Sequence, residues 1–183
     1  SYNFEFFQKA TTGVQKGGVD AGRSVDTSAV VASNGFGVGI STGTFTINDD
    51  VITVETADTL TTIFTKVTTA DSDFSISYDS STDKITLSSS SGKTLLLGSS
   101  NDSSNFLVAS RLNNNGTSSV SSSFKLGGIS QASTLSDANF NTTLVGSSGS
   151  FRVNGETVTW SSTDSVGAIL AGITQSGGGV VAS

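Results

Sequence analysis

The stretch Gly43–Tyr78, GTFTINDDVITVETADTLTTIFTKVTTADSDFSISY, decides the fold. Apolar and polar side chains alternate around Phe45 and Ile47, and this period of two predicts a strand. Asn48–Asp49 is a turn signal, and Val51–Val54 predicts the strand that returns antiparallel to the first. The stretch therefore begins with a β-hairpin.

An amphipathic helix is predicted directly after this hairpin. Asp58 is a candidate N-cap, because its carboxylate can accept hydrogen bonds from free helical N–H groups. Apolar residues then follow with spacing i, i+3, i+4, i+7, which places them on one helix face: Leu60, Ile63, Phe64 and Val67. A helix of about ten residues is marginal alone in water. We therefore expect this stripe to form one small core with Phe45, Ile47 and Val54, each stripe residue contributing about 1.5–3 kcal/mol.

The whole pattern returns at Gly149–Ser183, GSFRVNGETVTWSSTDSVGAILAGITQSGGGVVAS, and aligns with the first copy without a gap. Asn154–Gly155 is a strong hairpin signal, because both central residues of a type I′ turn need positive φ. Asp164 precedes a matching helix stripe, which consists of Val166, Ile169, Leu170 and Ile173. This copy stops where the first shows a strand. We therefore expect either a longer natural protein or a strand supplied from elsewhere.

Weaker patterns fill the rest of the chain. Strands are predicted at Phe74–Tyr78, Lys84–Leu87, Thr94–Leu97 and Phe124–Ile129, and as shorter pieces at Phe4, Phe6, Val14, Val25, Val30, Val31 and Phe36–Ile40. Asn105 is predicted to cap a short helix over Phe106–Leu112. Ser118–Ser123 is predicted to be an exposed connection, and Leu135, Phe140 and Leu144 to lie in a short helix or irregular segment.

The predicted fold class is α+β, mostly β, made of tandem modules of antiparallel β-hairpins, each with one short amphipathic helix. Four parts are expected: lead-in strands over residues 1–42, a first module over 43–112, a connecting β segment over 113–148 and a truncated second module over 149–183.

Composition excludes several functional classes. The chain contains no Cys and no His, so thiol nucleophiles, a Ser-His-Asp triad and typical zinc sites are ruled out. The formal net charge is −6, and Lys and Arg are scattered singly, which argues against a nucleic-acid groove. No apolar run approaches the ~20 residues that span a bilayer, so we expect no membrane insertion. The sequence predicts a protein that is not an enzyme and has no cofactor.

The remaining chemical candidates have simpler structural interpretations. Asp71 and Asp73 are spaced like calcium-loop ligands, but the Gly and Glu that an EF-hand loop requires are absent. Asp79 with Asp83 could chelate a surface calcium, and Asp49 with Asp50 is another acidic pair, yet Asp is expected at turns for backbone reasons. The predicted site therefore has no catalytic, cofactor-binding or metal-ligating residue.

Three further features resemble binding or modification sites, and each also has a simpler interpretation. Trp160 could be a sugar platform, but it matches Val54 in the first copy, which favours a core position. Gly35, Gly37 and Gly39 lack the G-x-G-x-x-G spacing of a dinucleotide site and indicate β bends. Sequons for N-glycosylation begin at Asn101, Asn115 and Asn141, and if the protein is bacterial they would mean little.

Both copies resemble the flagellin hook IN module. The residues that carry the resemblance are GTFTIN, DTLTTIFTKV, FSISYDSSTDKITLSS and SSNFLVASRL in the first copy, and GSFRVNGETVTW with TDSVGAILAGI in the second. Between them lie Asn105-Phe106-Leu107, a Gly-Gly strand and Asn139-Phe140. This order looks like the central domains of the flagellar filament cap family (hook-associated protein 2), without that family's terminal heptad helices. The resemblance covers about Gly43–Ser183.

The resemblance implies a secreted structural protein of the bacterial flagellum that forms a homo-oligomer at the filament tip. Its expected partners are further copies of itself, flagellin or other filament subunits, and host surfaces to which it adheres. The expected location is extracellular. The alternative is a phage tail or virion component, or a surface adhesin, built from the same modules.

Overall fold

The computed structural model describes residues 20–183. The strand pieces predicted at Phe4, Phe6 and Val14 lie outside this range. Within it, small antiparallel sheets and three short helices confirm the predicted α+β, mostly β, class. None of these helices has the length and apolar character needed to cross a bilayer.

The first hairpin pairs β1 (Gly43–Ile47) with β2 (Asp50–Val54), and Phe45 lies opposite Ile52. Asn48 takes a φ of 54° at the turn, a left-handed conformation that asparagine tolerates better than most residues. Helix α1 (Leu60–Ala70) then buries Leu60, Ile63 and Val67. The core predicted for the first module is confirmed except at Phe64, which is only partly buried.

A three-stranded sheet completes that core. Strand β3 (Phe74–Asp79) pairs with β4 (Lys84–Ser89), and β4 pairs with β5 (Ser119–Ser121). The inward side chains Phe74, Ile85, Leu87 and Val120 are buried. Helix α2 (Phe106–Ala109) closes one side, where the ring of Phe106 stacks on Phe45 with centroids 4.5 Å apart.

The second module repeats the hairpin and the helix. Strand β6 (Ser148–Val153) pairs with β7 (Glu156–Ser161), and α3 (Val166–Gln175) follows. Asn154 at the turn has a φ of 49°, close to that of its counterpart Asn48. The predicted core is not reached here, because no residue of α3 is buried. Residues 180–183 follow the helix without forming a strand.

The cap predicted for the first helix is wrong by one residue. Thr59 caps α1, its hydroxyl accepting a hydrogen bond from the Thr62 N–H, and Ser165 caps α3 in the same way. Asp58 instead accepts hydrogen bonds from the Glu55 N–H at 2.8 Å and from the Thr62 hydroxyl at 3.1 Å. The carboxylate therefore closes the loop that leads into the helix, and the shorter hydroxyl side chain makes the cap.

Several predicted strands are single bridges. Phe36 pairs only with Gly127, Val30 only with Thr59, and Leu97 only with Ile47. None of these bridges is extended into a ladder by its neighbouring residues. The strands predicted at Phe36–Ile40, Thr94–Leu97 and Phe124–Ile129 are therefore absent from the described chain.

Two further predictions about the connecting segment need correction. Ser118–Ser123, predicted to be exposed, supplies β5, and Val120 and Ser122 are buried. The predicted helix over Phe106–Leu112 ends at Ala109, and the Asn105 side chain does not cap it. The Asn105 Oδ1 accepts a hydrogen bond from the Ser41 N–H at 2.7 Å instead.

Candidate functional site

Asp79 and Asp83, the acidic pair predicted as a possible calcium site, have two different structural roles. Asp79 is exposed and accepts hydrogen bonds from the hydroxyl and N–H of Ser81, which lower its pKa to about 2. Asp83 is buried and accepts hydrogen bonds from the Val25 N–H at 3.0 Å and the Gly127 N–H at 2.7 Å. The Tyr78 hydroxyl also donates to it at 2.6 Å. Asp83 thus joins the lead-in segment, the β3–β4 hairpin and the connecting segment.

The pair Asp71 and Asp73 closes the connection between α1 and β3. Asp71 accepts a hydrogen bond from the Asp73 N–H at 2.8 Å. Asp73 accepts hydrogen bonds from the Ser89 hydroxyl and the Ser91 N–H, both at 2.6 Å, and the Ser89 hydroxyl is the main cause of its lowered pKa. Asp49 and Asp50 lie at the β1–β2 turn. Within residues 20–183, no group of three or more acidic side chains is arranged to hold a metal ion.

An ionic cluster lies at the start of α1. Lys66 Nζ contacts Asp58 at 2.7 Å and Glu55 at 2.9 Å. Burial acts to raise the pKa of Asp58, but hydrogen bonds from Lys66, the Glu55 N–H and Thr62 outweigh it, and the pKa lies below its usual value. The same carboxylates raise the pKa of Lys66. These contacts fix the helix to the loop that follows β2, and they leave the lysine charged.

The glycines at 35, 37 and 39 lie beside the connecting segment. Gly35 has a φ of 84°, and a Cβ there would lie 2.7 Å from the Asn139 side chain. That side chain donates hydrogen bonds to the carbonyl oxygens of Gly35 and Arg23. Gly35 and Gly37 thus permit a close approach of the connecting segment, whereas a Cβ at Gly39 would have no atom within 4 Å.

A hollow of about 630 Å³ lies next to these glycines, and Arg23, Asn34 and Asn139 are among the residues that line it. The Asn34 Oδ1 accepts a hydrogen bond from the Phe36 N–H, and its Nδ2 has no partner. That Nδ2 atom has no contact with solvent, so a ligand in the hollow could not reach it without moving the side chain. Asn34 therefore does not give the hollow a hydrogen-bond donor that a ligand could use, and the hollow is not assigned as a binding site.

Trp160 lies half-buried on β7 opposite Gly149, and its indole ring covers that glycine. The predicted core position is therefore only partly reached. A Cβ at Gly149 would lie 2.9 Å from three ring atoms, so the ring packs flat against the neighbouring strand. Asn101, Asn115 and Asn141, which begin the sequons, all lie outside the helices and strands.

The remaining functional candidate is an apolar surface on the second module, which we call the open face. It comprises Phe151, Trp160, Ile169, Leu170 and Ile173, the counterparts of core or core-packed residues in the first module. Phe151 is 37% exposed and the other four are half-buried. The sequence predicted these residues as core, and only the structure shows that the described chain leaves them uncovered.

Comparison with known protein families, curated proteins and solved structures returns no match for this chain.

Proposed function

We propose that this chain is a structural and assembly protein, forming outer domains of a flagellar filament cap that assists flagellin assembly at the filament tip and contacts host surfaces. The observation that carries the proposal is the pair of modules in tandem. Each has a left-handed Asn at its hairpin turn and a Thr or Ser cap before its helix, at matched sequence positions. Residues matching the hook IN pattern occupy these same elements.

The surfaces suit assembly better than chemistry. The carboxylates of Asp73, Asp79 and Asp83 accept hydrogen bonds from their own turns and neighbouring segments. The open face is an uncovered apolar surface, and such surfaces mark interaction sites. Homo-oligomers and filaments are built from contacts of this kind. Self-association and binding of filament subunits are therefore the proposed activities, and no catalytic step is assigned.

The test is to locate the protein on its source cells. Antibodies raised against residues 20–183 would be used for immunogold electron microscopy of intact cells, detached filaments and any virions in the culture. Gold confined to distal filament ends supports the proposal. Gold on phage tails, or spread over the cell surface, overturns it in favour of a virion component or an adhesin.

A second test uses assembly itself. Deleting the coding region from the source bacterium should leave cells that export monomeric flagellin without extending filaments. Restoring the gene should restore filament length. Filaments of normal length in the deletion strain would contradict the proposal.

A further inference from the structure

The described chain contains the module twice, and its apolar face is buried in the first copy and partly exposed in the second. In the first module Phe45, Ile63 and Val67 each have 0% exposure. Their counterparts in the second module are Phe151, which is 37% exposed, and Ile169 and Ile173, which are half-buried. The two copies share their hairpin and helix, so the difference must come from what packs against them.

The first module shows what kind of chain covers such a face. Helix α1 contacts both β2 and β3, so it lies between its own hairpin and the β3–β4 hairpin. Phe74, Ile85 and Leu87 of β3–β4 are buried in one cluster with the stripe of α1. Ser75 and Ser77, on the other side of β3, are exposed. The helix stripe is thus covered by an antiparallel hairpin with one apolar side and one hydroxyl-bearing side, while Phe45 is covered by the Phe106 ring of α2.

The chain after α3 lies along the helix end. The Ala182 N–H donates a hydrogen bond to the Thr174 hydroxyl at 3.1 Å, and the Gly178 carbonyl accepts one from the Asn154 side chain at 2.9 Å. These contacts hold the chain near the end of α3, and within residues 20–183 they leave the open face uncovered.

We propose that the open face is a docking surface for an antiparallel β-hairpin of the β3–β4 kind, with alternating large apolar and hydroxyl side chains. The hairpin packs on α3 as β3–β4 packs on α1, and it buries Ile169, Ile173 and the exposed part of Trp160, whose counterparts are buried in the first module. Docking by an added hairpin uses the same alternation of inward and outward side chains that builds any sheet face. A filament cap and a phage tail could both use this surface, so its test leaves the filament-cap proposal untouched.

Trp160 makes the test direct, because it is the only tryptophan in the chain and lies on the open face. In one altered chain, residues 177–183 are replaced by a second copy of residues 71–89, which carries the β3–β4 hairpin in the register of the first module. Because the hairpin is covalently attached, weak binding cannot explain a negative result. We expect Trp160 emission to shift to shorter wavelength, acrylamide quenching to fall, and amide exchange in α3 to slow about tenfold or more.

Two matched chains control for the added length. In the first, the copies of Phe74, Ile85 and Leu87 in the added segment are replaced by serine, and Trp160 should remain as accessible as in the unaltered chain. In the second, Ile173→Asp is combined with the intact added hairpin, and the protection should be lost because a charge lies under the cover, where the counterpart Val67 is fully buried.

Three outcomes would overturn this docking surface. Quenching of Trp160 that is identical with the intact and the serine-substituted hairpins would show that the face does not accept a hairpin. Shielding of Trp160 in the unaltered chain that grows with protein concentration would show that a second copy occupies the face. Shielding at all concentrations that is lost when residues 1–10 are removed would assign the face to the beginning of the chain itself.

Discussion

Replacing the buried Asp83 with asparagine tests the central connection of the first module. Asp83 Oδ1 accepts hydrogen bonds from the Val25 N–H and the Tyr78 hydroxyl, and Oδ2 accepts one from the Gly127 N–H. The side chains of Asp and Asn have the same shape, and asparagine tolerates the φ of 54° found at this position. Asp83→Asn therefore changes hydrogen bonding and charge with little change in backbone strain.

The expected cost follows from these three contacts. If the new NH₂ group takes the Oδ2 position, it faces the Gly127 N–H, and a buried donor left unsatisfied costs about 1–3 kcal/mol. The contacts of Val25 and Tyr78 remain but become neutral, and hydrogen bonds to charged groups are worth more than neutral ones by about 1 kcal/mol each. Relief from burying a charge offsets part of this loss. We expect a net loss of roughly 2–4 kcal/mol in the free energy of unfolding.

Chemical denaturation followed by circular dichroism measures this loss, and amide exchange locates it. For a chain of this size the melting temperature should fall by roughly 5–15 °C. Exchange should accelerate at Val25 and Gly127 before other buried amides. Asp79→Asn, on an exposed residue of the same turn, is the matched control and should have a smaller effect. If Asp83→Asn changed the unfolding free energy by less than about 0.5 kcal/mol, the assigned role of Asp83 would be wrong.

Three further predictions concern pH, the helix stripes and a glycine. Burial, and then its hydrogen bond to Asp83, raises the pKa of Tyr78 above the ordinary 10.0. The protonated tyrosine therefore contributes fully to the stability of the fold below pH 10, and this contribution is lost as the pH rises through the folded-state pKa. Melting temperatures above pH 10 should fall less steeply in Tyr78→Phe than in the unaltered chain. Ile63→Asp should prevent the first module from folding, whereas Leu170→Asp on the open face should lower the melting temperature by less, and equal effects would contradict the difference in burial. Gly127→Ala places a Cβ against the Arg23 carbonyl oxygen and should cost about 1–3 kcal/mol by denaturation, whereas the same change at a glycine with open space, residue 39, should cost little.

The first module could be predicted from sequence because its signals are local. The alternation around Phe45, the turn at Asn48 and the stripe Leu60–Val67 each require only neighbouring residues to identify a strand, a turn or a helix. The cap of the first helix was misplaced by one residue because Asp58 and Thr59 are both capable of capping. Only the geometry shows that the hydroxyl, and not the carboxylate, meets the free N–H.

The segments outside the hairpins could not be predicted, because their partners are distant in sequence. Phe36 pairs with Gly127, and the Val25 N–H finds its acceptor at Asp83. Strand β5 carries only one apolar residue, Val120, in a run of serines, so alternation gives almost no signal. Strand β5 pairs with the edge of β4 that β3 does not occupy, and Val120 is buried there.

The open face was partly visible in the sequence and partly not. The match of Phe151 with Phe45 and of Leu170 with Phe64 identifies residues suited to a core. Periodicity shows which side of an element is apolar, but it does not show whether anything lies against that side. The exposure of Phe151 therefore had to be read from the structure.

The position of β5 has a consequence for how such modules can be exchanged between proteins. Residues 43–112 contain every element that the repeat itself suggests, yet the third strand of their sheet comes from residues 119–121. A recombination event with a boundary at residue 112 would transfer a two-stranded sheet and leave Ile85 and Leu87 without the cover of Val120. If the module is to be transferred with its complete three-stranded sheet, the boundary must therefore lie beyond Ser122, within the connecting segment.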